Sequence, residues 1–159
     1  MRKYYLQFFG SAFAVLFLDQ LTKWLSLDFI EPFQGISVIP GFFNLVLVFN
    51  RGIAFGILNR SDPGLSCLLL SAMTLLVIAT IIIFFLKMKD AQKWPVFSLS
   101  LIVGGASGNL ADRLHHGYVI DFLDFYIKSY HWPAFNVADS AVTIGTILFL
   151  ISISKGENT

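Results

Sequence analysis

Between Leu65 and Leu86 the chain runs for twenty-two residues without a charged side chain. Coiled as a helix, a run of about 20 apolar residues spans the hydrocarbon core of a bilayer. Lipid offers no partners to backbone N–H and C=O groups, so a helix is the conformation imposed on such a segment. Three more apolar segments accompany it. Leu6 to Leu27 is equally long but contains Asp19, Gln20 and Lys23. Pro95 to Leu114 ends with the charged pair Asp112-Arg113. Val137 to Ile153 is shorter, and as a span it needs Asp139 at or near its outer end. The expected fold class is a mainly α membrane protein: a four-helix transmembrane bundle in a single domain covering 1–159.

Composition points the same way. The chain is 56% hydrophobic and 13% charged, with 17 Phe, and its mean hydropathy is +0.73. Those values exclude an ordinary soluble fold. A formal net charge of +1 leaves no basic field for nucleic acid. Cys67 is the only cysteine, so no disulfide forms within one chain.

The basic residues set an orientation. Arg2, Lys3, Lys87, Lys89, Lys93 and Lys155 fall on one side of a four-span arrangement, against Arg51, Arg60 and Lys128 on the other. The positive-inside rule places both termini in the cytoplasm. Segments 28–64 and 115–136 then become outer loops. The first is β-prone: Ile36-Ser37-Val38-Ile39 and Asn44 to Phe49 flank Pro40-Gly41, which predicts a small sheet at the outer surface. Tyr118 to Ile127 adds an extended piece. The basic start and Ala12-Phe13-Ala14 give the first segment a faint likeness to a cleaved signal, but its apolar run continues past Ala14. Gly64 precedes Leu65-Ser66-Cys67 where a lipid-attachment site wants a branched aliphatic residue.

Against this background two acids stand out, Asp121 in Val119-Ile120-Asp121-Phe122 and Asp139 in Phe135-Asn136-Val137-Ala138-Asp139. Ionisable groups at membrane depth are costly and mark functional positions. Asn136 is placed to cap the fourth helix, with Asp139 in its first turn. There the helix dipole and unpaired backbone N–H groups favour a negative charge. Asp121 lies in an apolar extended stretch, where desolvation favours the protonated form. Two carboxylates with opposed environments suit a base and an acid acting together on water. The plainer alternative is a helix cap and an unrelated loop acid. Asp124 competes with Asp121, since residues three apart on a strand face opposite ways and only one can meet Asp139.

Other polar residues cluster near the outer ends. Asn109 and Arg113 share a helix face and could hold a peptide carbonyl or a lipid ester. Asp112-Arg113 reads better as a structural ion pair at the membrane edge. Asp19 and Lys23, also four apart, read as a buried salt bridge. Asn50-Arg51-Gly52 predicts a turn that also brings Asn50 within reach of substrate. Gly104 and Gly108 form a small-xxx-small pair for close helix packing.

Two other hydrolase chemistries fit less well. Gly105-Ala106-Ser107-Gly108 matches a short serine-protease motif, but His115, His116 and His131 all lie in the outer loop, away from that serine. The same histidines lack the spacing of a zinc protease. A small proton-coupled transporter is the leading non-enzyme alternative. Its sites belong at the bilayer midplane with repeat symmetry, and neither pattern is visible here.

Five motifs in order resemble one family, the lipoprotein signal peptidases or signal peptidase II. They are Asp19-Gln20-x-x-Lys23, Asn50-Arg51-Gly52-Ile53-Ala54-Phe55, Gly104-Gly105-Ala106-x-Gly108-Asn109-Leu110-x-Asp112-Arg113, Val119-Ile120-Asp121-Phe122 and Phe135-Asn136-x-Ala138-Asp139. The resemblance implies an aspartic endopeptidase of the bacterial inner membrane. Such enzymes remove signal peptides from prolipoproteins by cutting before a diacylglyceryl-modified cysteine. It implies Asp121, not Asp124, as the partner of Asp139 in a catalytic dyad. Asn50, Asn109, Arg113 and Asn136 fall on polar active-site positions, with Gly105 and Asp112 supporting them and Asp19 and Lys23 structural. The expected partners are a lipidated prolipoprotein and membrane phospholipid, with no metal, no cofactor and a monomeric chain.

Overall fold

The structure is a computed structural model and describes residues 2–31, 34–52, 63–88 and 92–155. Ile53-Ala54-Phe55, Arg60 and Lys89, singled out above, lie outside the described residues. Four long helices carry the chain: α1 (Arg2–Phe29), α2 (Pro63–Lys87), α3 (Lys93–His116) and α4 (Val137–Ser154). They cover the four apolar segments. Of the four, α2 and α4 are long and apolar enough to cross a membrane on length and composition, whereas α1 and α3 carry charged residues within their length.

The burial pattern is inverted relative to a soluble bundle. Large apolar side chains face outward, among them Phe13, Phe17, Leu68, Met73, Leu76, Ile147 and Leu150. Buried positions include Asp19, Lys23, Ser98, Ser100, Asp112 and Asn136. In water such a surface would promote aggregation; in lipid it is the expected exterior. An apolar cluster of Phe8, Ala12, Phe85, Val96, Leu99 and Val103 closes the bundle at the end away from the sheet. There the Phe8 and Phe85 rings stack 4.1 Å apart.

Helix α3 packs against α1 and α4 through glycines. A Cβ at Gly104 would lie 2.6 Å from the Ala12 carbonyl oxygen of α1. One at Gly145 would lie 2.7 Å from that of Ser98 on α3. One at Gly105 would overlap the Ala138 carbonyl oxygen of α4. Missing side chains therefore let backbones approach, which sets how near α3 comes to the first turn of α4.

The β-prone outer segments form a four-stranded antiparallel sheet in the order β1 (Ile36–Ile39), β2 (Phe43–Asn50), β3 (Val119–Ile127), β4 (Tyr130–His131). The short β4 was not legible in the sequence pattern. Pairing of β2 with β3 sets Asn44 opposite Asp124 and Val48 opposite Asp121, with an irregularity between Leu45 and Val48. On its other edge β3 meets Phe135, which accepts from Leu123 N at 2.9 Å and donates to Leu123 O at 3.1 Å. That contact brings Asn136 beside Asp121.

Candidate active site

Each element delivers one part of the site. Helix α3 ends at His116, and Gly117, with φ of 77°, turns the chain directly into β3. The left-handed conformation suits glycine, which has no Cβ to clash. Asp112 then reaches forward and accepts from Ile120 N at 3.1 Å, fixing the start of β3. At the start of α4, Asn136 and Asp139 form a reciprocal capping box. The Asn136 side chain accepts from Asp139 N at 2.9 Å, and the Asp139 carboxylate accepts from Asn136 N at 3.3 Å. The expected cap is therefore present, and it uses the carboxylate as well as the amide.

Asp121 and Asp139 are joined through amides. Asn136 Nδ2 donates to Asp121 Oδ1 at 2.7 Å and to Asn109 Oδ1 at 3.2 Å. Asn109 Nδ2 donates to Asp139 Oδ1 at 2.7 Å. Asn50 Nδ2 donates to Asp121 Oδ2 at 2.9 Å, while its Oδ1 accepts from Gly52 N at 2.8 Å. Asn50 thus serves both the turn and the site, and Gly52 has φ of 79°. Asp121 is 1% exposed. Burial pushes its carboxyl from the usual 3.8 up to about 6, and the charge of Asp139 pushes the same way. The amides of Asn50 and Asn136, and more weakly the Lys23 charge, pull it down.

Asp124 lies on the opposite face of β3. It accepts from Asn44 Nδ2 at 3.1 Å and meets His131 Nδ1 at 2.9 Å. The strand alternation that left two candidates open thus puts Asp121 in the amide net and Asp124 in the outer sheet.

Three sequence expectations find different partners. Asp112 forms no ion pair with Arg113; its carboxylate meets Lys23 Nζ at 2.8 Å. Adjacent helix residues point about 100° apart, so a pair across α1 and α3 is the easier geometry. Arg113 reaches its own helix at Asn109 O, 3.5 Å away. It also lines a cavity of about 490 Å³ with Arg51, Cys67, Ser71 and Tyr118. Gly105, expected among the site-supporting residues, is a packing position against Ala138 and Val142. Asn109 turns inward to Asp139, whereas sharing a face with Arg113 had suggested contact with substrate.

Asp19 and Lys23 form the expected salt bridge at 2.8 Å. It reaches further than spacing indicated. Asp19 Oδ1 accepts from Ala138 N at 2.8 Å, and Lys23 Nζ donates to Asn109 Oδ1 at 3.0 Å. Gln20 also joins in, donating to Asp112 Oδ1 at 2.8 Å. The i, i+4 spacing in α1 signalled the pair, but nothing local signalled where the pair would dock.

A second cavity, of about 470 Å³, opens beside Asp139 and is lined by Trp132, Phe135, Thr143 and Ile144. A buried Asp121 and a half-buried Asp139 bridged by amides can share a proton and polarise a water between them.

A helical bundle with an apolar exterior and two amide-bridged carboxylates at its sheet-covered end has the character of a membrane protein. Comparison with known proteins makes this specific. Residues 11–155 match the family model for signal peptidase (SPase) II. The chain is similar to the lipoprotein signal peptidase of Thermodesulfovibrio yellowstonii, 44% identical over 140 residues, covering 88% of this chain and 89% of that one. It is also 45% identical over 142 residues to that of Geobacter metallireducens, covering 89% of this chain and 86% of that one. A bacterial membrane enzyme solved by the in meso method at 1.9 Å resolution superposes with a TM-score of 0.81 at 34% identity, covering 91% of this chain and 90% of that chain. The chain belongs to the signal peptidase II family, and is thus a bacterial membrane peptidase by family.

Proposed function

We propose that this chain is an intramembrane aspartic endopeptidase that cuts diacylglyceryl-modified prolipoproteins just before the lipidated cysteine. The observation that carries this reading is the convergence of Asp121 and Asp139 on Asn136 and Asn109 at the sheet-covered end of the bundle, with Asp121 and Asn136 buried. Family membership supports the substrate class. The apolar exterior of the helices supports four spans in the inner membrane, and the distribution of Lys and Arg supports cytoplasmic termini with the sheet outside.

In the proposed mechanism Asp139 is the base. Its backbone and amide donors stabilise a carboxylate. Asp121, the acid whose affinity for a proton is raised, carries the shared proton. Asp139 takes a proton from water as the oxygen attacks the scissile carbonyl carbon, and Asp121 gives its proton to the carbonyl oxygen. In the second step Asp139 returns its proton to the departing amine. Asp121 recovers one from the diol as the C–N bond breaks. The acyl chains remain in the bilayer, so their anchoring holds the scissile bond in place. Arg113 and Arg51 line a cavity suited to peptide carbonyls. No step requires a metal or a second copy of the chain.

The test is cleavage of a purified lipidated prolipoprotein in detergent. Asp121→Asn and Asp139→Asn should each lose activity by at least about a thousandfold, comparable to losses when other catalytic residues are removed. Asp124→Asn should stay close to wild type. A wild-type rate from Asp139→Asn would sink the mechanism.

A further inference from the structure

Asn109 and Asn136 hold the two carboxylates, but an amide has two ends and can hold nothing unless it is kept from turning over. The Asn136 amide is fixed by the Asp139 backbone N–H, which can only donate and so claims Oδ1. For Asn109 two donors claim Oδ1: Asn136 Nδ2 at 3.2 Å and, closer and charged, Lys23 Nζ at 3.0 Å from another helix. Lys23 is 2% exposed, and its ammonium carries three N–H donors and no acceptor. Three oxygens surround it: Asp19 Oδ2 at 2.8 Å, Asp112 Oδ2 at 2.8 Å and Asn109 Oδ1 at 3.0 Å. All three donors are used. Turning Asn109 over would set its NH2 against the ammonium and its carbonyl against Asp139, two repulsive contacts in a buried site.

The other partners of this ion cluster lead to the same two acids. Asp19 holds Ala138 N, one residue before Asp139. Asp112 holds Ile120 N, one residue before Asp121. One buried cation on α1 therefore organises contacts on α3, β3 and α4.

Resting on the peptidase reading above, we infer that Lys23 is a positioning residue for the reaction: its ammonium fixes the Asn109 amide so that an N–H faces Asp139. Its three donors are all taken by protein oxygens. It acts through Asn109, in addition to any stability that its ion pairs give.

Removing Lys23 alone would strand two buried carboxylates and risk unfolding. The test therefore uses Lys23→Met with Asp112→Asn, which leaves the charge of the cluster unchanged and lets residue 112 still accept from Ile120 N. Purified full-length enzyme is assayed on a lipidated prolipoprotein, with the detergent Tm recorded. The expected result is a kcat loss of about tenfold, with KM within about twofold, at a near wild-type Tm. Adding Asn109→Ala to this variant should lower kcat no further than Asn109→Ala does alone, because both act through one contact. Wild-type kcat at wild-type Tm, or fully additive losses, would overturn the proposal. If the compensated variant does not fold, Asn109→Asp carries the test, because its carboxylate keeps the bond to Lys23 but has no N–H for Asp139. Its kcat should fall at unchanged KM, and wild-type kcat would overturn the inference. Failure of the peptidase reading is distinguishable, since wild type itself would then not cleave.

Discussion

At the scale of single residues, Asp121 and Asp124 show where sequence reading ends. Period-two alternation states that they face opposite ways, but not which faces the bundle. That choice depends on the β2 register and on the contact between Leu123 and Phe135, both made by residues distant in the chain. The resemblance to a family pointed to Asp121, and the structure places Asp121 against Asn136. The buried acid also has an energetic consequence. Its folded-state value of about 6 lies above the usual 3.8, so the fold favours the protonated form. Its contribution to stability is fully present below about 3.8 and is lost as pH rises through about 6. The difference corresponds to about 3 kcal/mol at most. Asp121→Asn should therefore raise the Tm at pH 7.5 while abolishing cleavage, and the gain should vanish near pH 4. A Tm gain that is constant across that range would show that ionisation is not its cause.

At the scale of elements, helices were the most legible feature. Apolar length marked all four, and the Asn-x-x-Asp pattern marked the start of α4 as a cap. Side-chain partners between helices were not legible. Asp112 was read with its sequence neighbour Arg113, but its ion-pair partner is Lys23 on α1. Gly105, read from its motif as supporting the site, sets the approach of α3 to Ala138, the residue before Asp139. Gly105→Ala should push the Ala138 carbonyl away and cost about 1–3 kcal/mol, typical of overpacking. Cleavage should fall with it, because Asp139 is one residue further on. Gly10→Ala, where an added Cβ meets nothing within 4 Å, is the control and should be neutral or slightly stabilising. Equal Tm values for the two variants would contradict this role for Gly105.

At the scale of the molecule, composition announced an apolar exterior, and the burial pattern shows one. What composition could not show is that the polar interior is organised as ion and amide contacts shared by α1, α3, β3 and α4. The proposed orientation rests on the basic residues Arg2, Lys3, Lys87, Lys93 and Lys155. It predicts that, in a Cys67→Ser background, Ser37→Cys reacts with a membrane-impermeant maleimide on spheroplasts. Lys155→Cys should react only after permeabilisation. The reverse labelling pattern would invert the proposed topology.

Gly117 gives the whole arrangement a further property. Because the chain passes from α3 into β3 across only Gly117 and Tyr118, Asn109 and Asp139 are separated by only thirty positions. Asp112, Asp121 and Asn136 lie between them. The entropy lost on closing a loop grows with its length, so bringing these groups together costs less than gathering them from the ends of the chain. The segment 109–139 therefore holds both carboxylates and the two amides that bridge them within one short stretch of chain. Exchange of α2 between relatives would leave this segment intact, whereas exchange of the first outer loop would also exchange Asn50, the donor to Asp121 from outside the segment.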